Sequence, residues 1–189
     1  MILLEKSKKM SKDTIKIAGK TFIPMISSAE LHTRVCELGK TIWQENASEN
    51  PLFIVMLSGA YVFAADLLRT IPAAVDMVFV KYSSYEGTQS SGSLKREIAL
   101  PASVKGRTCI VVEDIIDSGV TMKQFVADLK EMGAAKVKIA SLLVKPENNK
   151  TDIKADYCGF SISKEFVVGY GLDFDGNARN LDSIYKCID

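Results

Sequence analysis

Two adjacent acids, Glu113 and Asp114, are followed by a third at Asp117 and then by Ser118, Gly119, Val120 and Thr121. Carboxylates suit sugar hydroxyls or a magnesium ion. Hydroxyl donors beside a glycine suit a phosphate, which the main chain can approach closely at Gly119. A sugar phosphate fits the whole string. The plainer reading, a solvated acidic strand end before a capped helix, accounts for any one of these residues but not for all of them in this order. No G-x-x-x-x-G-K-[ST] loop occurs, and no G-x-G-x-x-G follows a strand.

The neighbouring residues supply elements that would position this chemistry. Cys109-Ile110-Val111-Val112 is uncharged and β-prone, as in a strand buried on both faces. From Thr121 onward, Met122, Phe125, Val126, Leu129 and Met132 recur at helical spacing, and Gly133 stands where a left-handed cap belongs. Strand, turn and helix N-terminus therefore follow directly. The turn's amides and the positive end of the helix dipole favour an anion. The acids stand at the strand's carboxyl end, where open α/β sheets bind ligands.

The rest of the chain repeats this alternation. Residues 14–23 hold a short strand. Ser27 and Glu30 have capping-box spacing, and Leu31, Val35, Leu38 and Ile42 share one helical face. His32 falls off that face and reads as solvated. Residues 51–57 are a buried strand, Ser58-Gly59-Ala60 a turn and 61–69 a helix. That turn is either a second anion site or an ordinary tight connection. Strands follow at 75–82, 94–100, 108–112 and 137–144, with short ones at 157–160 and 166–170. The polar stretch 83–92 is either a lid or a solvated hairpin connection. Lys145 ends a strand, and Asp173 and Arg179 lie in a late loop; taken singly, each is an ordinary surface charge. The expectation is an α/β fold with a mostly parallel sheet flanked by helices, in one domain spanning 1–189, with 1–12 either a disordered end or a peripheral addition.

Composition narrows the function. The 189 residues are 47% hydrophobic, enough for one well-buried domain. A net charge of +1 supplies no broad field for nucleic acid. Cys36, Cys109, Cys158 and Cys187 have no C-x-x-C spacing, so they read as reduced core thiols rather than a zinc site. Neither a membrane-spanning run nor a secretory signal is expected, and the cytoplasm is the expected location.

Residues 113–121 resemble the phosphoribosyl-pyrophosphate signature of the type I phosphoribosyltransferases, in the form found in the 6-oxopurine branch. With Leu57-Ser58-Gly59-Ala60-Tyr61, Ser84-Tyr85, residues 141–146 and residues 166–173, the chain resembles the hypoxanthine-guanine phosphoribosyltransferases over nearly all of its length after residue 20. The resemblance implies that fold, with a small hood built from the terminal segments. It also implies transfer of the phosphoribosyl group to N9 of hypoxanthine or guanine, giving IMP or GMP and pyrophosphate, with Mg2+ as cofactor. A homodimer or homotetramer is implied, with no nucleic-acid or membrane partner.

Roles carried over by the resemblance are as follows. Glu113 and Asp114 hold the ribose hydroxyls, and Asp117 to Thr121 grip the 5′-phosphate. Asp117 is the acid-base group at N7. Lys145 reads the purine O6, Phe166 and Ile115 sandwich the ring, and Val167 and Asp173 meet the base edge. Ser58, Gly59 and Arg179 bind pyrophosphate, and Glu113, Asp114 and Asp173 serve the metal. Ser84 and Tyr85 form the lid. A cis peptide bond is expected at Ser58-Gly59. Many relatives carry lysine where this chain has Ser58. Two other readings are a metabolite-sensing regulator that kept the pocket, and a transferase for another base. The first should show a basic face or an added DNA-binding domain, and the purine set of Lys145, Phe166 and Asp173 argues against both.

Overall fold

The computed structural model describes residues 14–83, 95–98 and 104–189. Two sheets form it. A six-stranded sheet has the order β5-β4-β3-β6-β7-β8, with β3 at Leu52–Leu57, β4 at Asp76–Ser83, β5 at Lys95–Ile98, β6 at Thr108–Ile116, β7 at Lys136–Val144 and β8 at Tyr157–Ser161. All its pairings are parallel except β4 with β5. A separate antiparallel sheet has the order β1-β2-β10-β9, from Ile15–Ile17, Lys20–Ile26, Ile184–Cys187 and Val167–Val168. This is the expected hood, built from the two ends of the chain.

The strand expected over 14–23 is instead a hairpin. Ala18 and Gly19 both have positive φ, as a two-residue turn between twisted strands requires. The strand expected over 166–170 shrinks to two residues and joins the hood, because Gly169, Tyr170 and Gly171 all turn into left-handed backbone. The last hood strand, β10, was not anticipated; its central Tyr185 and Lys186 are only half-buried and leave little apolar pattern to read.

Among the described residues, three α-helices flank the parallel sheet: α1 at Ser28–Asn46, α2 at Tyr61–Arg69 and α3 at Val120–Glu131. The Ser27–Glu30 capping box starts α1, and Leu31, Val35, Leu38 and Ile42 are its buried stripe. Helix α3 ends as anticipated: Gly133 has φ +85°, its N–H donates to Lys130 O, and Ala134 N–H donates to Leu129 O. Helices α1 and α2 pack together, with α2 lying on β3 and β6, whereas α3 packs on β7. The core joins these layers through residues such as Phe53, Phe63, Phe125, Ile110 and Leu142, all with 0% exposure. Cys109 is buried, but Cys36, Cys158 and Cys187 are only half-buried, which corrects the expectation of four core thiols; all four are free. Among the described residues, no helix is long and apolar enough to cross a membrane.

Strands β3 and β6 lie side by side, yet the chain leaves them in opposite directions: β3 through α2 to β4, and β6 through α3 to β7. Such a reversal opens a crevice at the carboxyl ends of the two strands, and open α/β sheets bind ligands there. The turns at 58–60 and 117–119 are the two lips of this crevice.

Candidate active site

The pairing of β6 explains why its acids can face a ligand. Its partner β3 pairs with it only as far as Val55 opposite Val112, whereas β7 stays paired to Ile116 opposite Val144. Residues 108–112 are therefore buried between two strands, and Glu113, Asp114 and Ile115 emerge half-buried where one neighbour has gone. The strand thus runs four residues beyond the expected 108–112, to Ile116, with both acids inside it.

Both carboxylates fold back on the main chain. Glu113 Oε1 accepts from Asp114 N at 3.1 Å, and Asp114 Oδ1 accepts from Ile115 N at 2.9 Å. Burial, and then the adjacent Asp114 charge, push the Glu113 carboxyl well above the usual carboxylate range.

The turn after β6 becomes α3 without a side-chain cap. Its N-cap is Gly119, at φ +75°, where a Cβ would stand 2.7 Å from Asn149 Oδ1 and 2.5 Å from Thr151 Oγ1. Glycine is thus required by conformation and by space. Val120 N–H reaches Ser118 Oγ at 3.4 Å, and Val120 is exposed, with Ser118 and Thr121 half-buried. An uncapped helix start beside hydroxyls on an open rim leaves amide and hydroxyl donors facing outward, chemistry that can take an anion.

Contacts with the second lip assemble the rest. A Cβ on Gly59 would overlap the Asp114 carboxylate, and one on Gly171 would overlap the Gly59 carbonyl. Arg179 Nη1 donates to Gly171 O at 2.7 Å, and its Nη2 pairs with Asp173 Oδ1 at 2.7 Å. Arg179, Asp173, Gly171, Gly59 and Asp114 therefore form one continuous line of contact. The non-proline cis bond joins Leu57 to Ser58, one bond earlier than expected. Leu57, the last residue of β3, still pairs with Lys81.

Lys145 follows the last residue of β7 and is 6% exposed; its Nζ lies 2.9 Å from Asp117 Oδ2. Asn148 Nδ2 donates to the other oxygen of Asp117 at 2.9 Å. Burial pushes the Asp117 carboxyl up, but the hydrogen bonds from Lys145 and Asn148, with the Lys145 and Lys150 charges, outweigh it and hold the group below the usual range.

Phe166 is 44% exposed, edge-on to Phe174 at 5.5 Å and 6.3 Å from Phe22, while Val167 is buried in β9. These two residues come from the hood, and Ile115 and Lys145 from the parallel sheet. Ser84 and Tyr85 lie outside the described residues. Asn148 and Gly171 join the site through contacts that the sequence does not signal. The Asn148-Asn149 pair after Pro146 signals a turn, but nothing in the order of residues says which carboxylate it meets.

Among the described residues, no three metal-binding side chains converge. A cavity of about 480 Å³ opens between α1, α2 and residues 170–182, lined in part by His32, Tyr61, Asp66, Tyr170 and Arg179. Of the expected site residues that are described, only Arg179 lines it, and the others lie along the crevice at β3 and β6 or in the hood. His32 is exposed, as anticipated, on the cavity's rim.

The chain matches the phosphoribosyl transferase domain over residues 27–175. It is 44% identical to the hypoxanthine-guanine phosphoribosyltransferase of Bacillus subtilis, over 85% of this chain and 89% of the relative. With the bifunctional TilS/HprT protein of Listeria monocytogenes it shares 45% identity over 85% of its length, spanning only 25% of that longer protein. Among solved structures, a hypoxanthine-guanine phosphoribosyltransferase of Bacillus anthracis superposes with a TM-score of 0.81 at 37% identity, covering 88% of this chain and 96% of that one. A variant of the Trypanosoma cruzi hypoxanthine phosphoribosyltransferase, in ternary complex with substrates, gives a TM-score of 0.81 at 32% identity, covering 87% and 94%. A matched domain over most of the chain, with the Bacillus subtilis relative aligned over 89% of its length and the Bacillus anthracis structure over 96%, agrees with the two-lipped crevice, and the chain belongs to the hypoxanthine-guanine phosphoribosyltransferase family.

Proposed function

We propose that the chain transfers the 5-phosphoribosyl group of phosphoribosyl pyrophosphate to N9 of hypoxanthine or guanine, giving IMP or GMP and pyrophosphate. One observation carries this reading: Lys145, buried beside the ionised Asp117, stands next to the uncapped turn 117–119 at the carboxyl end of β6. A donor that reads an oxopurine, a base for its imidazole edge and a phosphate cradle are thereby adjacent.

In this reading, the turn from Asp117 to Thr121 takes the 5′-phosphate through its amides and hydroxyls. Glu113 and Asp114 turn outward to the ribose hydroxyls. Lys145 donates to the purine oxygen; adenine offers a donor there instead, which leaves a buried lysine unmatched. Asp117 accepts the N7 proton as N9 bonds to C1′ and the bond to pyrophosphate breaks, so the base loses a proton while the leaving group takes the electron pair. Phe166 and Ile115 cover the ring, and Val167 and Asp173 border its edge. Gly59, Ser58 and Arg179 receive pyrophosphate, with Ser84 and Tyr85 as the lid.

The donor set fits magnesium as the cofactor. Magnesium takes one or two carboxylates and fills its remaining positions with water and substrate phosphates, so no all-protein cage is needed. Glu113 with Asp114 would hold one ion and Asp173 another, once Asp173 gives up Arg179. When bound, the ion neutralises charge on the departing pyrophosphate. The four free cysteines suit a reducing cytoplasm, and assembly as a homodimer or homotetramer completes the proposal.

The test is direct. The protein is incubated with phosphoribosyl pyrophosphate, magnesium and each purine in turn, and the nucleotide formed is identified by chromatography. IMP and GMP are the expected products, without AMP. AMP alone, or no nucleotide at all, would overturn the assignment.

A further inference from the structure

Among the described residues, the side chains that bond to Asp117 come from one loop, residues 145–150, and that loop is braced by main-chain and side-chain hydrogen bonds. Lys145 N–H donates to Ile116 O at 2.9 Å and Lys150 N–H to Ser118 O at 3.0 Å, so residues 145–150 are laced by main chain to the turn after β6. Asn149 stiffens the loop from within. Its Oδ1 accepts from Thr151 N and Thr151 Oγ1, each at 2.9 Å, and its Nδ2 donates to Ile153 O at 2.7 Å. From this frame Lys145 and Asn148, three residues apart, each take one oxygen of Asp117 at 2.9 Å.

The terminal torsion of an aspartate is broad, so one donor fixes an oxygen without fixing the carboxylate plane. A second donor on the other oxygen fixes the plane. Lys145 is a poor choice for that task alone, because a purine oxygen competes for its ammonium protons. Asn148 is a neutral amide that can stay in place when the purine enters. The charged groups that bear on Asp117 are Lys145 and Lys150, both from this same loop.

We propose that Asn148 is a positioning residue for phosphoribosyl transfer, holding the Asp117 carboxylate in one plane so that it meets the imidazole edge of the purine while Lys145 turns to the purine oxygen. This rests on the reading of Asp117 as the acid-base group.

The experiment compares the full-length protein with Asn148→Ala, Asn148→Asp and Asp117→Asn, measuring initial rates with hypoxanthine, phosphoribosyl pyrophosphate and magnesium across the acid range. Asn148→Ala is expected to lower kcat about 10-fold, to keep KM for phosphoribosyl pyrophosphate within about twofold, and to move the acid limb of kcat to higher pH. Asn148→Asp, which puts a like charge beside Asp117, should move the limb further. Full turnover in Asp117→Asn would remove the acid-base reading itself. Loss in Asp117→Asn with an unchanged rate and acid limb in Asn148→Ala would overturn the Asn148 role alone. A lowered melting temperature and raised KM with an unmoved limb would also overturn it, assigning Asn148 to loop stability.

Discussion

Gly59 lies directly against the carboxylate of Asp114, so closely that a methyl group on Gly59 would overlap it. The contact joins the turn after β3 to the acid pair in β6 and brings the proposed pyrophosphate and ribose subsites together. Gly171 closes on the other side of Gly59 in the same way. The turn at 58–60 is therefore held between the Asp114 carboxylate and the main chain at Gly171.

Gly59→Ala should push the turn after β3 and the Asp114 carboxylate apart. The added carbon must displace either the Asp114 carboxylate or the turn itself, and displacements near 1 Å at a reacting centre cost about 100-fold in rate. We expect kcat/KM for phosphoribosyl pyrophosphate to fall by about that factor with little change in melting temperature. Wild-type kinetics in this variant would show that the turn adapts.

Lys145→Met should act on specificity and on pH together. Without the ammonium donor, hypoxanthine should lose roughly 10- to 100-fold in kcat/KM, the value of a hydrogen bond to a charged group, and the margin over adenine should shrink. Asp117 has its folded-state pKa depressed by this loop, so the stabilisation from its ionised form is present above the unfolded carboxylate value and is lost as pH falls through the folded one. Removing Lys145 takes away the first of the lowering contacts, so the acid limb of the rate profile should move to higher pH. With the Asp117 side chain 49% exposed, solvent screens the pair and its effect on overall stability should be small.

Removal of magnesium by a chelator should abolish nucleotide formation, and restored magnesium should recover it. A readout independent of turnover is calorimetric binding of pyrophosphate, which should weaken strongly in metal-free buffer. Asp173→Asn should reduce the gain in affinity that magnesium gives, because it removes a carboxylate for the ion, whereas in metal-free buffer it should not weaken binding, since it frees Arg179 from its partner at 2.7 Å. Equal pyrophosphate affinity with and without the metal would count against the leaving-group role.

Leu142→Ala tests the frame rather than the chemistry. Leu142 has 0% exposure and lies in β7, the strand that delivers Lys145 to the crevice. A loss of about 2–5 kcal/mol in urea unfolding is expected, with catalysis retained by the folded fraction.

The amino-acid sequence by itself determined the alternation of strands and helices, the capping box of α1, the glycine stop of α3 and the identity of the acid-hydroxyl-glycine turn. Each depends on neighbours within a few residues: apolar period, a side chain reaching a nearby amide, or a backbone angle that glycine alone adopts easily. Tertiary structure alone decided that β3 ends its pairing at Val112 and so exposes Glu113 and Asp114, and that Gly59 seats on Asp114. It also decided that Asn148 meets Asp117 and that β9 and β10 leave the main sheet for the hood. These are contacts between segments far apart along the chain, set by which surfaces pack when the whole core closes, and no local period encodes them.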